Sequence, residues 1–230
     1  MLVSHRYRFI YTKTMKTAGT SVESYFEPLC MAEGEWKPTH ARETYVSASG
    51  IVGHRGPGQP ADCRWWNHMP ASSIRVQLGE ALWSSYFKFC VVRNPYERAV
   101  SYFYYWRAHL IESKPDTAPD PVQFERWLEA SGFPDDRQVY TIDGRVCMDR
   151  VIRYECLAED LREICDRLAV AWEPGRLPSF KAGVRPSWAT LEELYTPRSE
   201  EIVRNACAFE LRAFGYRFGP APSPTELSPW

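Results

Sequence analysis

The sequence has no long apolar run. Nowhere does it approach the roughly 18 consecutive apolar residues that a membrane-spanning helix needs. Its first stretch, MLVSHRYRFIYTK, also lacks the apolar segment of a signal peptide. These absences predict a soluble, unexported protein in the cytoplasm, with no membrane as a partner.

A large charge of one sign is missing too. The chain carries 28 Lys+Arg against 29 Asp+Glu, so no global field would hold it on nucleic acid or on an anionic surface. We therefore expect no nucleic-acid partner, and any anion must be bound by a local group of residues.

Metal-binding and disulfide patterns are absent as well. The seven cysteines are an odd number without a CxxC pair, and the five histidines show no zinc-ligand spacing. Free thiols in a reducing compartment are the plainer interpretation, with Cys90 and Cys165 on core faces.

The pattern of elements indicates an α/β fold. At 230 residues and 44% hydrophobic, the chain has the length of one globular domain. We predict a single domain over 1–219, with a disordered tail over 220–230. Apolar strands alternate with helical patterns, which predicts a central, mainly parallel β-sheet flanked by helices. The predicted strands are 7–11, 86–93 and 151–154; the predicted helices are 22–29, 70–83, 95–110, 121–130, 158–169 and 197–214; an irregular loop spans 33–67.

The first candidate site is the loop KTAGTS, residues 16–21, between the first predicted strand and its helix. Gly19 would let the backbone approach an anion, the loop N–H groups would cradle it, and Thr20 and Ser21 would add hydroxyl donors. An ordinary N-capped turn would explain Thr and Ser but not a lysine so near the glycine. The loop is therefore predicted to hold a phosphate.

This loop is not a Walker A sequence, because there the lysine follows the second glycine and here Lys16 precedes Gly19. No apolar strand ends in a magnesium-binding aspartate. A nucleotide kinase that uses Mg-ATP is disfavoured on these grounds. It remains an alternative, as does a non-catalytic nucleotide-binding protein.

The second candidate site is RNPYERAVS, residues 93–101. Arg93 lies at the tip of a predicted strand, and Ser101 lies on the helix that follows. Arg93 alone could be a structural ion pair. Together with the lysine loop, a second phosphate is the better explanation.

These two segments resemble a known family. MKTAGTS is similar to the 5′-phosphosulfate loop of the sulfotransferases, usually PKTAGTS, and FKFCVVRNPYERAVSYF resembles their 3′-phosphate motif. The motifs occur in the family's order, and the likeness extends through NHMPASSIR and DRVIRYECLAEDLREIC. It is strongest to the branch with carbohydrate sulfotransferases and bacterial relatives. Met15 departs from the usual proline.

The resemblance implies a P-loop-like three-layer fold and transfer of a sulfuryl group from 3′-phosphoadenosine-5′-phosphosulfate (PAPS). The product would be PAP, the acceptor a hydroxyl or amine of a carbohydrate or small molecule, and no metal would be required. Lys16 would bind the oxygen that bridges phosphorus and sulfur. The other implied donor contacts are Thr17, Ala18, Gly19, Thr20 and Ser21 for the 5′-phosphosulfate, Arg93 and Ser101 for the 3′-phosphate, and Lys181 and Arg185 in a late loop.

An acceptor hydroxyl must lose a proton, which requires a base. His68 in NHMPA is the first candidate and His54 in VGHRG the second, although a histidine there could simply cap a helix. The aromatic helix after Pro95 cannot bury all its rings. Tyr105 of that helix is therefore predicted to contribute to an acceptor pocket, together with His54 and Trp66 of the loop 33–67.

Overall fold

The computed structural model describes residues 1–109, 118–131, 135–178, 180 and 184–219. The chain divides into two compact units. The first unit contains 1–92 and 136–180, and the second contains 93–135 and 181–229. The predicted single domain stays a prediction, and the predicted tail over 220–230 lies outside the described residues.

The strands lie in the first unit. A mixed sheet has the order β3-β4-β1-β2-β5-β8, in which β2, β5 and β8 are parallel neighbours and the remaining pairs are antiparallel. A hairpin, β6-β7, stands apart from it. The strands are β1 Leu2–Ser4, β2 Phe9–Thr12, β3 Tyr45–Ser47, β4 Gly50–Val52, β5 Phe87–Val92, β6 Thr141–Ile142, β7 Arg145–Val146 and β8 Arg150–Arg153.

Four α-helices belong to the first unit and five to the second, counting only described residues. Those of the first unit are α1 Gly19–Phe26, α2 Ala71–Leu78, α3 Glu80–Ser85 and α6 Leu157–Arg167. Those of the second are α4 Pro95–His109, α5 Asp120–Ser131, α7 Leu191–Leu194, α8 Pro197–Ala206 and α9 Ala208–Phe214.

Apolar side chains cover both faces of the sheet. Successive residues of a strand point to opposite faces, so Phe9 packs with Phe26 of α1, ring centroids 5.7 Å apart. Ile10 belongs to a separate cluster with Ile74 of α2 and Trp83 of α3. Helices thus cover the sheet on both sides, and the predicted α/β fold is confirmed. The sheet is mixed and not mainly parallel, because the short strands β1, β3 and β4 add three antiparallel pairs to the parallel strands β2, β5 and β8.

Two expectations about elements were wrong. The segment 33–67 is not wholly irregular, because it contains β3 and β4. The helical pattern over 70–83 is broken at Gly79, whose φ of 82° lies in the left-handed region. As a result Leu82 is 37% exposed, while Trp83 is buried.

The second unit is helical and has its own core. Phe103 of α4 packs edge-on against Phe124 of α5, with centroids 5.3 Å apart, and Leu194 and Val203 complete the same cluster. The helix α8 begins with a capping box between Thr196 and Ser199, which satisfies N–H groups at its start.

No helix in the described ranges is both long and apolar enough to cross a bilayer. All seven cysteines fall within those ranges and are free thiols, and Cys90 and Cys165 are fully buried, as predicted.

Candidate active site

The loop between β2 and α1 has an unusual backbone. Lys16 and Ala18 have φ values of 59° and 57°, whereas Thr17 between them does not have a positive φ. A non-glycine residue with such a left-handed backbone costs about 1–2 kcal/mol of conformational free energy. Such alternation turns successive N–H groups toward one side, which forms a concave anion site. Strained backbone of this kind is typical of functional sites.

The first turn of α1 has backbone N–H donors without an acceptor in the part of the chain that the structure describes. The first backbone hydrogen bond of the helix runs from the Val22 N–H to the Ala18 carbonyl, at 3.1 Å, and no side chain caps the helix at Ala18. Among the described residues, no acceptor bonds the N–H groups of Gly19, Thr20 or Ser21. Three donors and the positive end of the helix dipole therefore favour an anion here.

The hydroxyl groups of the loop have separate tasks. Thr17 Oγ1 lies 2.8 Å from Thr14 Oγ1, which in turn donates to the carbonyl of Val91 in β5. Thr17 is fully buried, so its side chain braces the loop against the sheet. Ser21 Oγ accepts a 3.4 Å hydrogen bond from the N–H of Phe180.

A second lysine, Lys13, lies beneath the same turn. Its ammonium donates to Thr20 Oγ1 at 3.1 Å and to Glu23 Oε2 at 2.7 Å, and the residue is only 4% exposed. A Cβ on Gly19 would lie 2.6 Å from Lys13 Cγ. The space beside Gly19 is therefore filled by the stem of Lys13, a contact that the sequence did not predict.

Glu23 belongs to a buried network of charges. Arg55 Nη1 donates to Glu23 Oε2 at 2.8 Å and also to Glu27 Oε1, while Arg42 Nε donates to Glu27 Oε2 at 2.9 Å. Burial raises the pKa of the Glu23 carboxyl, but Lys13 and the other cations outweigh it and hold this pKa well below its usual range. The carboxylate is thus ionised beneath the loop.

Asp136 explains why this loop can have Met15 in place of the usual proline. The Met15 N–H donates to Asp136 Oδ2 at 2.6 Å, and Asp136 is 3% exposed. A proline has no N–H and could not make this bond. In this chain the loop is therefore tied to a buried carboxylate by the very group that proline lacks.

We expect Met15→Pro to lower the free energy of unfolding by about 2 kcal/mol, because a hydrogen bond to a buried carboxylate is lost. Chemical denaturation would measure the change. Met15→Leu keeps the N–H and a similar volume, so it should unfold like the parent protein. Equal stability of the proline and leucine variants would contradict the role of this hydrogen bond.

His68 is held against the start of the loop. Its Nδ1 lies 3.0 Å from the carbonyl of Lys13, and its φ is 56°. A carbonyl only accepts, so Nδ1 donates and Nε2 carries the free lone pair. Burial, together with the nearby Lys13 ammonium, lowers the pKa of His68 to about 4. The imidazole is therefore neutral at physiological pH, with an unprotonated Nε2.

His54 and Trp66 are brought together by a backbone bridge. His54 is buried, and its Nε2 lies 3.3 Å from the carbonyl of Gly56. Trp66 is half-buried. Two of the three predicted acceptor residues are thus neighbours in the first unit.

In the second unit, Arg93 and Arg185 share one carboxylate. Arg93 Nη2 lies 3.3 Å from Glu97 Oε2, and Arg185 Nη1 pairs with the same oxygen. Arg185 Nε also donates to the Ala189 carbonyl at 2.7 Å. Ser101 is four residues after Glu97 on α4, which places both on one face of the helix. Lys181 lies outside the described residues.

Tyr105 is also in the second unit. It is half-buried, and its ring stacks on His109 with centroids 4.5 Å apart. Its neighbours Phe103 and Tyr104 are buried in the core, so the aromatic helix is divided between packing and partly exposed rings, as predicted.

A cleft of about 430 Å³ lies at the opposite end of the sheet. It is lined by residues that precede or begin parallel strands, among them Arg8, Phe87 and Asp149. Ligands of open parallel sheets bind beyond the carboxyl ends of the strands, where the loop 16–21 lies. The cleft is therefore separate from the candidate site.

Four residues of the site were missed from the sequence: Lys13, Glu23, Arg55 and Asp136. Glu23 in α1 and Glu27 just after it did offer a signal, since two carboxylates four residues apart in a predicted helical segment need cationic partners where they are buried. Asp136 offered none, because it is 121 residues from Met15.

A comparison with protein families agrees with the geometry of the loop. Residues 1–185 of the 230 match the model of the sulfotransferase family. No curated protein and no solved structure matched the chain. The matched region contains the whole sheet, the loop 16–21 and the segment 93–101. The chain therefore belongs to the sulfotransferase family.

Proposed function

We propose that this protein transfers the sulfuryl group of PAPS to a hydroxyl or amine of a carbohydrate or small-molecule acceptor and releases PAP. The observation that carries this proposal is the loop 16–21, where left-handed residues and an uncapped helix N-terminus present N–H donors. The family of the chain supplies the reaction class.

In this proposal the loop N–H groups and the hydroxyls of Thr20 and Ser21 bind the 5′-phosphosulfate. In-line transfer at sulfur depends mainly on positioning and on neutralising charge. Lys16 would contact the oxygen between phosphorus and sulfur, where negative charge grows as the bond breaks. These donors would serve without a metal ion.

The 3′-phosphate would bind at Arg93 and Ser101, with Arg185 beside them. Two guanidinium groups and the Glu97 carboxylate carry one net positive charge together. A phosphate would therefore find arginine donors already aligned by a carboxylate, and bidentate contacts suit its geometry. Lys181 keeps its proposed role at the donor.

His68 is the proposed base, because Nε2 is its free nitrogen and its ring is anchored at the loop. His54 is the alternative. Trp66 and Tyr105 are the proposed acceptor contacts, since partly exposed rings can stack on a sugar or an aromatic molecule. A cytoplasmic location remains a prediction from the sequence.

Calorimetric titration with PAP, without metal, tests the donor site. We expect Arg93→Ala to weaken PAP binding at least about 30-fold, because it removes a charged partner of a phosphate. Adenosine 5′-monophosphate, which lacks the 3′-phosphate, should bind the parent and Arg93→Ala equally. Arg162→Ala, the loss of an exposed arginine on α6, should leave PAP binding unchanged.

Two other outcomes would decide between the remaining classes. Binding of Mg-ATP together with indifference to PAP would replace the proposal with a nucleotide kinase. Tight PAP binding, with no sulfated product in a mass-spectrometric acceptor screen, would indicate a non-catalytic nucleotide-binding protein.

A further inference from the structure

Lys13 is a buried cation that the proposed reaction does not use. It follows β2 directly and precedes Lys16 by three residues. Its ammonium contacts Thr20 Oγ1 and Glu23 Oε2. A lysine ammonium only donates, so Thr20 Oγ1 must accept from it.

This contact fixes the direction of the Thr20 hydroxyl. With an oxygen lone pair occupied by Lys13, the hydroxyl hydrogen points elsewhere, and no described residue accepts it. Thr20 is in the first turn of α1, beside the unbonded N–H groups of Gly19 and Ser21. The hydroxyl is therefore preset as one more donor for an anion at the helix start.

Lys13 is itself held from two sides. Its stem lies against Gly19, where a Cβ would come within 2.6 Å of Cγ. Glu23 Oε2 binds the ammonium and is fixed in turn by Arg55, whose other nitrogens donate to the carbonyls of His40 and Thr39 at 2.7 and 3.0 Å. The ammonium has little freedom to leave Thr20.

The main chain of Lys13 contacts His68, the proposed base. Its carbonyl accepts the hydrogen bond from His68 Nδ1. Lys13 thus contacts Thr20, a proposed phosphate-binding residue, through its side chain, and His68 through its backbone.

We propose that Lys13 is a positioning residue of sulfuryl transfer, which holds the Thr20 hydroxyl as a donor toward the 5′-phosphosulfate and is kept in place by Glu23 and Arg55. It acts through Thr20 and does not touch the donor itself. This inference rests on the proposed function, because it assumes that the loop binds PAPS.

A double-mutant cycle on PAP affinity tests it. Lys13→Met keeps the stem without the charge, and Thr20→Val keeps the shape without the hydroxyl. We expect each to weaken PAP binding about tenfold, because each removes the same hydrogen bond to a charged phosphate. The double variant should also be about tenfold weaker, not about a hundredfold.

Thr20→Ser keeps the hydroxyl that Thr20→Val removes. It should therefore bind PAP nearly as tightly as the parent protein, but only while Lys13 is present. If Lys13→Met does not fold, Glu23→Gln replaces it in the cycle, and its effect on PAP affinity should again depend on the Thr20 hydroxyl. A purely structural role would change thermal stability without this coupling.

The inference would be overturned, while the donor site stands, if the double variant bound PAP about a hundredfold more weakly than the parent, because the two substitutions would then act independently. PAP affinity unchanged in Lys13→Met would overturn it as well. Failure of the parent protein to bind PAP would overturn the proposed function, and the inference with it. The two failures are therefore distinguishable in one set of titrations.

Discussion

Lys16→Ala is expected to lower kcat for sulfuryl transfer by about 10²- to 10³-fold, the usual loss when one donor to a developing negative charge is removed. PAP should bind the variant within about tenfold of the parent affinity, because its 5′-phosphate keeps the backbone donors of the loop. The measurement is PAP release from saturating PAPS with an acceptor found by screening for sulfated products.

The substitution isolates the ammonium from the backbone. Lys16 has a φ of 59°, and alanine has the same backbone restriction as lysine, whereas glycine would also release strain. Lys37→Ala, at an exposed lysine of the same unit, changes the net charge equally and should keep the parent kcat. A Lys16→Ala enzyme within a few-fold of the parent would remove Lys16 from the reaction.

The parallel half of the sheet could be predicted because each strand carries its own signal. In β5 the residues FKFCVV are apolar except for Lys88, and the strand ends just before Arg93-Asn94-Pro95. Nearly continuous apolar runs of this kind are typical of strands buried on both faces. The strands β1, β3 and β4 have only three residues each. Their pairing depends on distant segments, so no local pattern marks them.

The end of a helix is equally hard to predict from a local pattern, as Gly79 shows. Ile74, Leu78 and Leu82 recur at the spacing of one helix face, and this spacing continues across Gly79 as if the helix were unbroken. The left-handed glycine rotates the following turn, so that Trp83 is buried in its place. Periodicity predicts a face only as far as the helix is continuous.

The residues of the phosphate loop could be predicted, but the groups that hold them could not. Gly, Thr, Ser and Lys after a strand indicate anion binding by their chemistry alone. Which buried group satisfies the Met15 N–H, or which cation compensates Glu23, depends on segments that meet only in the folded chain. This supporting layer decides how rigidly the loop is held.

His68→Asn is expected to lower kcat by about 10²- to 10⁴-fold, the range for loss of a positioned general base. Asparagine tolerates the left-handed backbone of this position, and its amide N–H can still donate to the Lys13 carbonyl. It therefore keeps the anchor and removes only the basic nitrogen, and PAP affinity should stay within about twofold. His5→Asn, which alters a histidine bonded to Tyr86, should keep full activity.

The pH profile separates a base from a structural histidine. A base works only when unprotonated, so kcat/KM for PAPS should fall as the pH drops through the free-enzyme pKa of His68, about 4. Bound PAPS brings negative charge that favours the imidazolium and raises this pKa, so the acid limb of kcat should lie at higher pH. Both limbs should vanish in His68→Asn, with folding at each pH checked by circular dichroism. If His54→Asn abolishes transfer and His68→Asn does not, the base is His54, and the anchored ring of His68 only supports the loop.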